Sequence, residues 1–458
     1  MRPTLSLLTA MLAVTACAPR IPSLPATAAI APPLSWRDGS AVDGVIDPRW
    51  WRSFGDPALD TLVDTALTRN TDVLTAVAVV EQSRAQIRLA RSAMLPTLGG
   101  SASAIRSGGT HVPTTTALEA PLAAAWEIDL SGRLHALTRA ARSNYHASQA
   151  DRDAIALAVA SQVAQVYIGL LSLDAQLDIT RATLVSQARS LRLIEDQLRV
   201  GYVSQFELTQ AQAEYELVAQ QGPLIEQSVR AQENALALLV GDLPRAIVRG
   251  RTFDALALPV IPATLPAALL RRRPDIAVAE YRLAAANATI AARRADYLPQ
   301  LNLSALFGVV ASGPRNYNPV TIWSVGASLL VPLFEGGALR AGFDVATALR
   351  DQSAYQYRGV VLAAFGEVET AFSSATTLAV EQDTALRRLA ILRHSLVLAQ
   401  ERYREGYSAY IDLLDAERSL YATQLSSTTT RQNQLDTAVA LYAALGGGWS
   451  CATIPPKM

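Results

Sequence analysis

Between Leu333 and Ile454 the chain contains no proline, although 23 are spread over the rest of it. Proline inside a helix costs roughly 3 kcal/mol, so a gap of this size marks very long helices. One glycine-containing break interrupts it, at Arg404-Glu405-Gly406-Tyr407-Ser408. Glycine supplies the left-handed backbone that a chain reversal needs. The stretch predicts a long helical hairpin.

The hairpin is the second of two. Segments recur at a spacing of about 205 residues. Ala90 to Leu98 parallels Arg293 to Leu301, and Leu130-Ser131-Gly132-Arg133-Leu134 parallels Phe334 to Leu339. Arg199-Val200-Gly201-Tyr202 parallels Arg404-Glu405-Gly406-Tyr407, and Leu239-Val240-Gly241 parallels Ala444-Leu445-Gly446. Each copy reads as helix, strand hairpin, very long helix, turn, long helix. The first helix covers 57–93 with a break near Asn70, and its counterpart starts at Pro274, a favoured first helical position. A Leu-Pro pair ends both. The long helices, Leu134 to Leu198 and Leu339 to Tyr403, are each close to 100 Å at about 1.5 Å per residue. Apolar residues at Leu389, Leu392, Leu396, Ala399 and Tyr403 are spaced three and four apart, as in a coiled coil.

The strand segments alternate. Leu118, Ala120, Leu122, Ala124, Trp126 and Ile128 share one face; Glu119, Ala123, Ala125 and Glu127 share the other. Trp323, Val325, Ala327 and Leu329 alternate with Ser324, Gly326 and Ser328. Strands of about 10 residues with one apolar and one small or polar face fit a transmembrane β-barrel with a wet interior. A half-buried soluble sheet gives the same alternation. The segments Ser107 to Pro113 and Ser312 to Pro319 read as loops between paired strands. Four strands per chain cannot close a barrel, and an open edge is not tolerated in lipid. Two chains would supply about eight strands with a filled interior, three about twelve with room for passage.

The N-terminus reads as an export signal: Arg2, an apolar run from Leu5 to Ala16, then Val14-Thr15-Ala16-Cys17. This resembles a lipobox, making Cys17 the acylated (palmitate-bearing) first residue of the mature chain. Ala18 after it fits an outer-membrane destination. A proline-rich tether follows, with Trp36, Trp50, Trp51 and Phe54 docking on the body. The expected domains are a signal peptide (1–16), tether (17–55), first repeat (56–245), connector (246–262), second repeat (263–449) and tail (450–458).

Formal net charge is zero, which argues against a nucleic-acid partner. Arg271-Arg272-Arg273 is a short basic cluster expected to pair with acidic neighbours. The four histidines have no metal-ligand spacing, and no nucleotide or nucleophile motif is present. The chain is expected to be no enzyme and to hold no cofactor beyond the lipid on Cys17.

Together with Leu269-Leu270-Arg271-Arg272-Arg273-Pro274-Asp275-Ile276, Trp126 to Leu134, Pro332-Leu333-Phe334-Glu335-Gly336-Gly337 and Leu413 to Glu417, these residues resemble the outer-membrane efflux proteins. These are TolC-like channel tunnels, and the resemblance is to the lipoprotein branch typified by OprM and NodT. It implies a mainly α fold with a β-barrel: a homotrimer whose twelve strands line the outer membrane and whose helices form a periplasmic α-barrel. It implies an exit duct for small toxic compounds, working with a periplasmic adaptor and an inner-membrane pump of the RND type. It places a periplasmic gate at Tyr403, Ile411 and Asp415, the first copy carrying Leu198, Phe206 and Gln210 instead. It places adaptor docking at the turns, with Arg199, Gly201, Arg404 and Gly406. Metal-ion efflux, type I protein secretion and a structural coiled-coil lipoprotein are the alternatives.

Overall fold

The structure, a computed structural model, describes residues 18–37, 46–261, 266–313 and 318–449. Cys17 and Cys451 lie outside the described residues. The chain is mainly helical with one antiparallel sheet. Its elements run α1 (Pro57–Arg69), α2 (Thr71–Ser92), β1 (Thr97–Gly100), β2 (Ser103–Gly109), β3 (Val112–Ile128), α3 (Arg133–Arg199), α4 (Gln205–Ala219) and α5 (Gln221–Leu239). There follow α6 (Pro266–Arg272), α7 (Pro274–Ala295), β4 (Gln300–Gly313), β5 (Asn318–Leu330), α8 (Ala338–Arg404) and α9 (Tyr410–Ala444).

The break at Asn70 is a cap. The Asn70 amide oxygen accepts from the backbone N–H of Asp72, and its Nδ2 donates to the Leu239 carbonyl. That side chain ends α1 and starts α2. Both α2 and α7 have 22 residues and stop ahead of the Leu-Pro pair. The long helices α3 and α8 have 67 residues each.

Two expectations need correction. The strands are longer than about 10 residues: β3, β4 and β5 have 17, 14 and 13. Ser107 to Pro113 is not a loop. Pairing continues to Gly109 opposite Val112, and Thr110-His111 alone makes the turn, with His111 at φ 69°. In the second hairpin, pairing likewise reaches Ser312 opposite Asn318. Polar and glycine residues mimic loop composition, yet they continue the ladder.

The chain divides into two compact units. One holds the sheet, with 18–30, 78–150 and 276–360; the other holds 31–77, 151–275 and 361–449 among the described residues. In the first unit the sheet runs β1/β2–β3–β4–β5, all antiparallel. The first strand is split because it faces Pro121, which has no N–H for the ladder. Pairing stops at Gly100 opposite Leu122 and resumes at Ser103 opposite Glu119. On the other side Pro121 pairs with Gly308, where a Cβ would come within 2.5 Å of the Pro121 Cα. In the same unit Arg350, 2 % exposed, donates to the carbonyls of Pro22 (2.7 Å) and Ser23 (3.2 Å). Arg358 does the same for Thr27 and Ala29.

In the second unit the apolar middle of α3 (Val159, Val163, Tyr167, Ile168, Leu170, Leu171) is core. Trp36, Trp50, Trp51 and Phe54 are all buried, as expected of a docked segment. Trp36 sits between Phe365 and Phe372, and Trp50 stacks on Tyr442 at 5.2 Å.

Candidate functional site

Cross-strand partners share a face of a sheet, so the register sorts the side chains. Leu98, Leu118, Leu122 and Trp126 fall on one face with Leu303, Phe307, Val309, Trp323, Val325 and Leu329. Glu119, Glu127, Asn302, Ser304, Ser324 and Ser328 fall on the other, along with alanines, glycines and the apolar Ile105, Leu306, Val310 and Val320. Ile322 lies among the small and polar residues. A half-buried soluble sheet would have its apolar face covered. Here Leu98 is 75 % exposed, Phe307 59 %, Trp323 74 % and Val325 78 %. The outer edges, β1/β2 and β5, pair with no other strand among the described residues. An apolar face this large is not left to water, and its two open edges are hydrogen-bonding templates.

The turns after α3 and α8 are built alike. Gly201 and Gly406 have φ of 79° and 76°. Gly201 N–H donates to the Leu198 carbonyl and Tyr202 N–H to that of Gln197; Gly406 and Tyr407 repeat this with Tyr403 and Arg402. Each is a Schellman closure, which satisfies carbonyls at the helix end. Val200, Tyr202 and Tyr407 are 65, 83 and 76 % exposed. Arg199 forms an exposed pair with Asp196 at 3.0 Å, and Arg404 is exposed.

The residues expected at the gate do not lie together. Ile411 and Asp415, one helical turn apart on α9, are both exposed. Tyr403 is 8 % exposed and packs with Ile194, Leu208, Tyr410, Leu413 and Leu414 in the cluster that ties the hairpin tips together. Its ring meets Tyr410 edge-on at 5.9 Å, and its hydroxyl donates to Gln197 Oε1 at 2.8 Å. Burial, then Glu207, pushes its pKa up. In the first copy Phe206 takes the place of Ile411 and is 69 % exposed.

Three features near the tips lie outside the sequence reading. Arg418 on α9 pairs with the buried Glu214 of α4 at 2.6 Å. Glu417, 5 % exposed, accepts from Ser190 at 3.1 Å while its Oε2 has no hydrogen-bond partner among the described residues. Burial pushes its pKa up against the hydrogen bonds of Ser190 and Gln187. Ser204 and Glu207 form a capping box at the start of α4. Only the last had a local signal, the S-x-x-E spacing; the others join residues far apart in sequence. Of the basic cluster, Arg273 pairs with Asp275 (2.7 Å) and Glu367 (2.6 Å) and donates to the Ala444 carbonyl.

The sequence profile of the outer membrane efflux protein family matches residues 62–242 and again 265–447. The pyoverdine export outer membrane protein OpmQ of Pseudomonas aeruginosa is 34 % identical, over 97 % of this chain and 97 % of its own. The cation efflux system protein CusC of Escherichia coli is 33 % identical, over 90 % of both. The crystal structure of the open state of the Neisseria gonorrhoeae MtrE outer membrane channel superposes with a TM-score of 0.84 at 28 % identity, covering 95 % of this chain and 99 % of that one. A sheet with an uncovered apolar face, helices of 67 residues and two glycine-closed tips are thus the features of an outer-membrane protein, and the chain belongs to the outer membrane efflux protein family.

Proposed function

We propose that this chain is one subunit of a homotrimeric exit duct, conducting small toxic compounds passively out of the cell. The observation that carries the reading is the sheet: apolar and bare on one face, holding most of the polar and small residues on the other, open at both edges. In lipid every backbone polar group needs a partner, so β5 of one copy pairs with β1/β2 of the next. Three copies close a barrel of about twelve strands with a wet interior, and acyl chains on Cys17 add an anchor. The α3 and α8 hairpins form the periplasmic tunnel. Its tips, with Arg199, Gly201, Arg404 and Gly406, dock a periplasmic adaptor that couples the duct to an RND-type inner-membrane pump. Ile411 and Asp415 narrow the tunnel, and Tyr403 positions them from inside the hairpin. The cargo is set by the pump; relatives similar over most of this chain are named for pyoverdine export and for cation efflux.

Two experiments test this. Outer-membrane fractions run on gels without heating should give an oligomer that boiling converts to monomer, and the purified protein should conduct ions in planar bilayers. A soluble, non-conducting monomer would overturn the reading. Arg199→Glu with Arg404→Glu should leave the oligomer intact and abolish efflux; full export would remove the docking role.

A further inference from the structure

In the sheet-bearing unit, two adjoining cavities lie where helices meet strands. One, of about 680 Å³, is lined by Arg91, Arg139 and Arg142 with Met94, Leu95 and Thr138. The second, of about 350 Å³, shares Gly132 and Arg139 with it and adds Arg294, Leu298 and the first described residue, Ala18. The four arginines have no hydrogen bond or ion pair among the described residues. The nearby carboxylates are already engaged. Glu127 pairs with Arg133 at 2.7 Å and Asp129 with His135 at 2.5 Å. Asp296 pairs with Arg293 at 3.3 Å and Asp344 with Arg340 at 3.2 Å.

The depth of the site is marked by Trp126. It lies on the apolar face, and its indole N–H donates to the carbonyl of Met94 at 2.8 Å. Indole rings in this position favour the boundary between hydrocarbon and headgroups. A ligand here therefore meets unpaired guanidinium groups beside Met94 and Leu95, next to an apolar sheet face. The chain's positive charge is arginine throughout, Lys457 excepted, and guanidinium forks match the two-oxygen face of a phosphate. The second repeat lacks the feature: Asp344, already paired, and Thr347 stand where the first has Arg139 and Arg142.

We propose that these cavities bind the phosphate headgroup of a phospholipid from the periplasm-facing leaflet, once per chain, with its acyl tails against the sheet's apolar face. The proposal rests on the reading of the strands as membrane-spanning. It is tested on the full-length oligomer in detergent by native mass spectrometry and thermal melting. The probes are phosphatidylglycerol, a diacylglycerol with the same acyl chains, and inorganic phosphate. Phosphatidylglycerol should be retained and should raise the melting temperature; the other two should not. Arg139→Gln with Arg142→Gln should weaken its retention by roughly tenfold or more, because each charged hydrogen bond to phosphate is worth a large part of a decade. Equal retention of diacylglycerol, stabilisation by free phosphate, or a double variant that binds like the parent would overturn the proposal. So would a double variant whose lipid-free oligomer falls apart, since the arginines would then face a neighbouring copy. A parent protein recovered only from the soluble fraction would instead sink the spanning reading, and this one with it.

Discussion

The two helical hairpins are copies that have diverged at matched positions. Their outgoing helices have the same length, and their tips close with the same pair of hydrogen bonds. Their return arms differ. The first is interrupted at Gln220, where α4 ends and α5 begins with Gly222-Pro223, while α9 runs unbroken for 35 residues. The first return helix is capped by Ser204; the second starts at Ala409 with no side-chain cap. Phe206, Gln210 and Gln212 of the first stand where the second has Ile411, Asp415 and Glu417. The first hairpin has a firmly capped start and no matching carboxylates at these places. The second has a weakly capped start, an exposed carboxylate and a buried one. On the proposed gate, this difference makes the second hairpin the expected moving part.

Substitutions can break this comparison or sharpen it. The largest effect should come from Arg418→Ala, which strands the buried Glu214 and removes a tie between the hairpins. It should cost about 2 kcal/mol, less than a fully buried pair because Arg418 is half exposed, read as a fall in melting temperature. Gly201→Ala and Gly406→Ala should each cost about 1 kcal/mol, since alanine is strained at positive φ. Equal losses support matched tips, whereas unequal losses would show that the two turns carry different loads. Ser204→Ala should cost about 1 kcal/mol, and Ala409→Ser should gain a comparable amount, measured by hydrogen exchange at the first turn of each helix. If the gain also slows gating, weak capping is part of the device.

The smallest effect is a pH dependence confined to the second hairpin. Glu417 has its folded pKa raised above 4.5 by burial, and Asp436, also on α9, has its own raised from 3.8 to about 6 by burial. In such a window the folded state binds more protons than the unfolded one, so stability falls as pH rises through it. For Asp436 the window runs from 3.8 to about 6. Hydrogen-exchange protection, corrected for the intrinsic rate at each pH, should fall in α9 across that range while that of α4 stays level, and Asp436→Asn should flatten the response.

Much of this fold was legible in the sequence because its signals are local and duplicated. Absent prolines, the Leu-Pro stops and the glycine turns placed both 67-residue helices to within about a residue, inside the usual scatter of helix ends. The break near Asn70 was equally visible, though not the side-chain cap that makes it. Strand ends were not, because Thr, Ser and Gly beyond the apolar core look like loop until their pairing partners are known. Gly222-Pro223 announced the break in the first return arm, but helical periodicity on both sides masked it. At the tips, Ile411 and Asp415 were singled out by the family resemblance alone; their exposure is visible only in the structure. The coiled-coil spacing that ends at Tyr403 turned it inward with Leu396 and Ala399, but did not reveal that Gln197 and Tyr410 meet it there from other helices. The Glu214–Arg418 pair, formed across hairpins, has no local signature at all.

The most direct test is single-channel conductance in planar bilayers, comparing Asp415→Ala with the matched change Gln210→Ala. A gate in the second hairpin predicts a severalfold rise for Asp415→Ala and none for Gln210→Ala. Unchanged conductance in both, or an equal rise in both, would contradict the assignment of the gate to the second hairpin.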